Sequence, residues 1–278
     1  MKPITKRNNR ESTKDLAAHI LLTLAAVCLV FPFVWMLSGA FKDALEAVKM
    51  PPQLIPSRFN LDNFINIMKY FPIDRFLLNS IFVAVITVAL QLLFCSMAAF
   101  VFAKIRFRGR EFLFLVYLIT LMIPIQVTMT PLFIVFSKLQ LNDTYLGLIL
   151  PGVFSAFGTF LLRQHIMTVS DSLMEAAFID GASYFRVFFQ IILPLSKPAL
   201  ATLGVLAFMN TWNSYLWPLI IINSTELMTL PLGLTKLIGR WSTEWNILMA
   251  GNVVSFIPML LVYIFAQNYL IKGLTFKQ

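Results

Sequence analysis

The feature that most constrains this chain is a set of six long apolar stretches holding no Asp, Glu, Lys or Arg. They are Leu16–Phe41, Leu77–Ala103, Phe112–Ser137, Thr144–Leu162, Pro198–Ile222 and Ile247–Ile271. A bilayer core of roughly 30 Å is crossed by about 20 apolar residues in a helix. In lipid the backbone must satisfy its own hydrogen bonds, so each stretch reads as a membrane helix. The first, of about 25 residues, exceeds the roughly 7–15 apolar residues of a signal peptide, although Ser38-Gly39-Ala40 resembles a cleavage site. It reads as a retained span.

Charge supplies the orientation. Charged residues make up 13% of the chain, against about 25% in a soluble domain, and the net charge is +9. The basic residues sit in short segments between apolar runs, which is a membrane-topology pattern and not a nucleic-acid surface. The segment Lys104–Arg110 holds Lys104, Arg106, Arg108 and Arg110, so it is placed inside, and both termini with it. The expected organisation is a cytoplasmic basic tail (1–15), a first helix (16–41), an extracytoplasmic loop (42–76), a five-helix core (77–271) with an inside loop at 163–197, and a cytoplasmic tail (272–278). Cys28 and Cys95 fall in apolar runs and read as small hydrophobes. Pro32, Pro124, Pro131, Pro151, Pro218 and Pro258 lie inside five of the spans. Each frees a carbonyl and bends its helix, which favours a bundle enclosing a pathway.

The longest inside loop is too polar to span and too apolar to be a linker. Ser172 and Glu175 have the spacing of a capping box, so a helix is expected to start at Ser172. Gly181 permits a left-handed turn. Ser183 can cap a second helix through Ile191, with Arg186 and Gln190 on one face, before Pro194 and Pro198. The loop is therefore expected to form a helix–turn–helix with a small-residue patch at Ala176 and Ala177.

Glu175-Ala176-Ala177, then Gly181, then Ile191-Ile192-Leu193-Pro194 resembles the EAA loop of ABC importer permeases. Further segments resemble the maltose-type carbohydrate permeases: Met122–Thr128, Tyr145–Pro151, Asp180–Ser183, Thr211–Leu219 and Gly273-Leu274-Thr275. The resemblance implies an all-α membrane protein of six transmembrane helices, the type I importer permease fold, with cytoplasmic EAA coupling helices. It implies four kinds of partner in a bacterial or archaeal cytoplasmic membrane. These are a companion permease, a dimer of ATPase subunits, an extracytoplasmic solute-binding protein and lipid. It implies an ATPase-coupling set of Glu175, Ala176, Ala177, Asp180 and Gly181. Glu175 would pair with a basic group of the ATPase; read from the residues alone, it caps its own helix.

Polar residues within the spans are candidates for lining the pathway: Gln126 in the third, Asn210, Trp212, Asn213 and Tyr215 in the fifth, Asn252 in the sixth. Amides and hydroxyls suit sugar hydroxyls, and aromatic rings suit sugar C–H faces. The same residues can instead join helices to one another. The outside loop 223–246, with Arg240, Trp241 and Trp245, is the part the resemblance directs toward the binding protein. No phosphate-binding loop, HExxH or nucleophile elbow occurs, and His19 and His165 have no partner at ligand spacing. No catalysis, metal or cofactor is expected. Two other transport readings stay open: an ABC permease for a non-sugar solute, and an ion-coupled transporter. The second would ordinarily keep ionisable groups in its spans.

Overall fold

The computed structural model describes residues 9–238 and 243–274. Arg240, Trp241, the first eight residues and Thr275–Gln278 lie outside them. The described chain is helical, and its one β feature is an isolated bridge between Ile238 and Thr243. Two compact units divide it, residues 1–71 with 237–254, and residues 72–236 with 255–278.

The first unit holds α1 (Asn9–Ala40), the short α2 (Ala44–Ala47) and α3 (Asp62–Tyr70). Along α1 the apolar side chains from Leu16 to Phe33 are exposed, which suits a helix surrounded by lipid or another subunit. Its C-terminal end is fixed by amide chemistry. Asn63 Nδ2 donates to the Ala40 and Lys42 carbonyls at 2.8 Å each, and Asn246 Nδ2 donates to Asn63 Oδ1 at 2.8 Å. Lys42 is buried, with its ammonium over the Trp35 ring at 4.6 Å.

The second unit is organised on α4 (Ile73–Lys104), a 32-residue helix. It continues through α5 (Arg110–Ile119), α6 (Ile125–Lys138), α7 (Tyr145–Val153), α8 (Ala156–Met167), α9 (Asp171–Ile179) and α10 (Tyr184–Val187). A π-helical turn at Phe188–Ile192 leads into α11 (Leu193–Leu195), α12 (Lys197–Trp212), α13 (Leu216–Ile221) and α14 (Leu230–Leu234). The last helix, α15 (Trp245–Leu274), runs unbroken through Pro258. Helices α7, α8 and α12 pack along α4. A Cβ on Gly158 would meet Leu203 at 3.0 Å and Cys95 at 3.2 Å, so its absence lets these helices approach closely.

Three helices are by themselves long and apolar enough to cross a membrane: 15–40, 73–104 and 245–267. Three more crossings arise only if bent pairs count as spans. The third expected span turns through 101° at Ile123-Pro124. The cause is local: a 3₁₀ turn at Thr120–Met122, then Ile123 held extended because the residue before a proline avoids the helical region. The fourth bends by 42° at Phe154-Ser155, where Ser155 accepts the Gly158 N–H at 3.0 Å and starts α8 anew. The fifth is expected as Pro198–Ile222, but α12 stops at Trp212 and α13 begins at Leu216. Its 78° bend falls earlier, at Ser196 between Pro194 and Pro198. Proline rings clash with the carbonyl four residues back, and the preceding π turn gives that room. Pro32 and Pro258, by contrast, leave α1 and α15 continuous.

Candidate functional site

Two places in the second unit carry the residues singled out above. One is the segment from Ser170 to Ser196. Its first helix starts at Asp171, capped by Ser170, whose hydroxyl accepts the Ser172 N–H at 3.3 Å. The expected start at Ser172, with Glu175 closing a capping box, is therefore corrected. Ser172 Oγ is held by Ser170 Oγ at 2.7 Å, and Asp171 is tied to Lys104 at 2.6 Å, which fixes the first turn earlier. Glu175 is exposed and has no hydrogen-bond partner among the described residues.

The helix ends in a doubled closure. The Ala182 N–H reaches the Ala177 carbonyl at 2.9 Å and the Gly181 N–H reaches Phe178 at 3.0 Å. Gly181 takes φ +79°, and a Cβ there would meet nothing within 4 Å. The glycine is thus demanded by backbone conformation and not by space. Ser183 caps α10, accepting the Arg186 N–H at 3.4 Å. The helical run then continues to Leu195, past the expected end at Ile191.

Met174, Val187, Phe188 and Ile192 face inward onto Phe100, Leu162, Ile166 and Leu203. The outer surface holds Glu175, Ala176, Ile179, Asp180 and Gly181, with Ala177 half-buried. Ile179 is 86% exposed and Phe185 67%, and neither was singled out from the sequence. The signal was available: large apolar residues flanking a glycine turn in a segment too polar to span.

The anchorage behind this segment is ionic. Lys104, its side chain 6% exposed, donates to the Val169 carbonyl and to Asp171. That hydrogen bond and the ammonium charge hold the Asp171 carboxyl below the usual aspartate range. Beside it, Arg163 donates to both Glu111 oxygens at 2.8 Å and to the Phe102 carbonyl at 3.1 Å. Its guanidinium lies 4.0 Å from the Phe114 ring centroid.

The second place is a cavity of about 400 Å³ beside the gap between α12 and α13. Asn210, Thr211, Asn213, Ser214 and Tyr215 line it, together with Thr87 of α4, Gly152 of α7 and Thr229. Of the pathway candidates, Asn210, Asn213 and Tyr215 are brought together here. Trp212 is not: it is 2% exposed, stacks on Phe208 at 5.5 Å, and donates its indole N–H to the Ser255 carbonyl at 3.1 Å. It is a packing residue, as an indole with a buried N–H partner should be. Gln126 and Asn252 are exposed and do not line the cavity. Asn79 and Ser80 serve as joints. Asn79 donates to the Glu226 and Met228 carbonyls at 2.8 and 2.9 Å and accepts from Tyr145 at 2.7 Å, while Ser80 accepts the Leu230 N–H at 2.6 Å.

Residues 91–276 match the family described as binding-protein-dependent transport system inner membrane component. The chain is 39% identical over 253 residues to the arabinooligosaccharides transport system permease protein AraQ of Halalkalibacterium halodurans, covering 90% of this chain and 91% of that one. It is 36% identical over 268 residues to the sn-glycerol-3-phosphate transport system permease protein UgpE of Pectobacterium atrosepticum, with 94% and 95% covered. Its fold is similar, at a TM-score of 0.85 and 26% identity, to a chain in the crystal structure of a bacterial ABC transporter involved in the import of the acidic polysaccharide alginate. That likeness covers 96% of this chain and 99% of the other.

Proposed function

This chain belongs to the binding-protein-dependent transport system inner membrane components, and we propose that it is the permease subunit through which an ABC importer brings a carbohydrate across the cytoplasmic membrane. A solute-binding protein delivers the cargo from outside, a companion permease completes the pathway, and a separate pair of ATPase subunits supplies the energy. Both termini and the segment 163–197 face the ATPase side. The ion-coupled reading has no support from kinship with these permeases.

The observation that carries the docking assignment is the outer surface of α9 and its turn. A carboxylate without a partner, two alanines, and an 86% exposed isoleucine flank a rigid glycine closure, over a buried apolar core. A folded segment that leaves Ile179 bare suits a partner that covers it. Glu175 then meets a basic group of the ATPase, Ala176 and Ala177 allow close approach, and Asp180-Gly181 forms the rigid turn of the contact. Motion of the ATPase subunits reaches the spans through this helix.

The test is co-purification. Glu175→Lys is expected to lose most of the ATPase subunit while keeping the companion permease and the wild-type melting temperature. Full retention of the ATPase by that variant would remove Glu175 from the contact. The cargo assignment is tested by ATPase stimulation with a sugar panel, in which no response to any carbohydrate refutes it.

A further inference from the structure

The relatives named above include permeases for an arabinooligosaccharide and for glycerol phosphate, and the structural neighbour imports an acidic polysaccharide. Kinship therefore does not choose between neutral and anionic cargo. The cavity does. None of its lining residues is acidic or basic. A phosphate or carboxylate moved into such surroundings would shed water without gaining a cation, which is strongly unfavourable.

Two of the lining residues also lack partners they would ordinarily have. Thr87 Oγ1 and Thr229 Oγ1 are buried, with their residues 0% and 6% exposed, and neither makes a hydrogen bond among the described residues. A threonine within a helix usually turns its hydroxyl to a carbonyl three or four residues back. Thr202 does so, donating to the Pro198 carbonyl at 3.0 Å. A threonine preceding a helix usually caps it. Thr144 does so for Gly147 at 3.0 Å, but Thr229, ahead of α14, makes no such bond. Both hydroxyls forgo the local bond, and both residues line one cavity. A Cβ on Gly152 would come within 2.6 Å of Thr87 Cγ2, so a glycine is needed to leave Thr87 its place.

We propose that this cavity is a cargo-reading site for an uncharged polyhydroxyl unit, with Thr87 and Thr229 as specificity-determining residues that pair with its hydroxyls. Each threonine both donates and accepts, as a sugar hydroxyl does, so the pairing satisfies both sides. The proposal rests on the carbohydrate reading and narrows it to neutral sugars.

The test uses the assembled importer, with companion permease, ATPase and binding protein, in proteoliposomes. ATP hydrolysis and uptake are measured with neutral arabino- and malto-oligosaccharides, with sn-glycerol 3-phosphate and with oligouronates. Neutral sugars are expected to stimulate and the anions not to. Thr87→Val and Thr229→Val are each expected to raise the half-saturating neutral sugar about tenfold, the factor for one lost hydrogen bond to cargo. Thr87→Ser should restore it, with the binding protein's own affinity unchanged. Stimulation by an anion alone, or valine variants with wild-type half-saturation, overturns the proposal and leaves the carbohydrate reading standing. Silence toward every sugar overturns both. Should a valine variant fail to assemble, the wild-type comparison of neutral and anionic cargo still decides.

Discussion

The two ends of α4 are gripped by different chemistry. At one end Asn79 and Ser80, both buried, hold Glu226, Met228, Leu230 and Tyr145 by hydrogen bonds between neutral groups. At the other, Lys104 holds Asp171 and the Val169 carbonyl, and beside it Arg163 holds Glu111. The acidic partners are 67% and 63% exposed. A buried amide network is costly to break because each stranded group stays desolvated. An ion pair whose carboxylate stands in water contributes less, since water screens the attraction. The first grip suits a permanent joint and the second suits a contact that can part and re-form.

The largest expected effect tests the permanent joint. Asn79→Leu strands two carbonyls and the Tyr145 hydroxyl, and should destabilise the subunit by about 2–3 kcal/mol. Thermal unfolding of the complex in nanodiscs measures this, and a melting temperature equal to wild type would remove the distinction between the two ends. Next comes Lys104→Met. It should change the melting temperature less than Asn79→Leu does, since the Asp171 end of the pair is screened by water. Sugar moved per ATP hydrolysed should nevertheless fall several-fold, because α9 loses its tie to α4. Unchanged coupling in that variant would deprive the charged end of its role. The smallest effect concerns Asp143, in the loop before α7. Its carboxylate accepts from the Ser224 N–H and hydroxyl and from the Asn223 N–H, and these bonds, the Ser224 N–H foremost, lower its pKa. The folded pKa lies below the unfolded one, so its stabilisation is complete above the ordinary aspartate value of about 3.9 and is lost as pH falls through the depressed value. Asp143→Asn should therefore lower stability at neutral pH and shrink the difference from wild type at acid pH. Melting curves across that range check the sign.

How much of this could be read from the sequence differs by residue. The apolar stretches announce membrane helices through composition, and Gly181 announces its turn because few other residues take positive φ. Breaks were harder. Ile123-Pro124 carries a break signal, yet it sits in an apolar run whose hydropathy does not dip. Asn213 reads as a polar residue on a continuous helix, whereas it lies in the gap between α12 and α13. Trp212 and Asn213 are neighbours with opposite fates, one buried and one lining the cavity, and only packing against Ser255 decides that. The spacing to Glu175 points to Ser172 as the cap; the tie from Asp171 to a lysine 67 positions away fixes the first turn earlier, under Ser170. Thr87 and Thr229 gave no signal, since an unsatisfied hydroxyl is a property of what surrounds it.

At 1.5 Å per residue α4 is about 48 Å long, and it contains no proline or glycine. It is a lever without a hinge of its own. A tilt of about 5° around its midpoint carries each end through roughly 2 Å, a displacement of the size by which helices shift in switching proteins. Thr87 lies near that midpoint, where the same tilt produces almost no travel. A push delivered at Lys104 can therefore be felt among residues 226–230 while Thr87, which lines the cavity, stays nearly still.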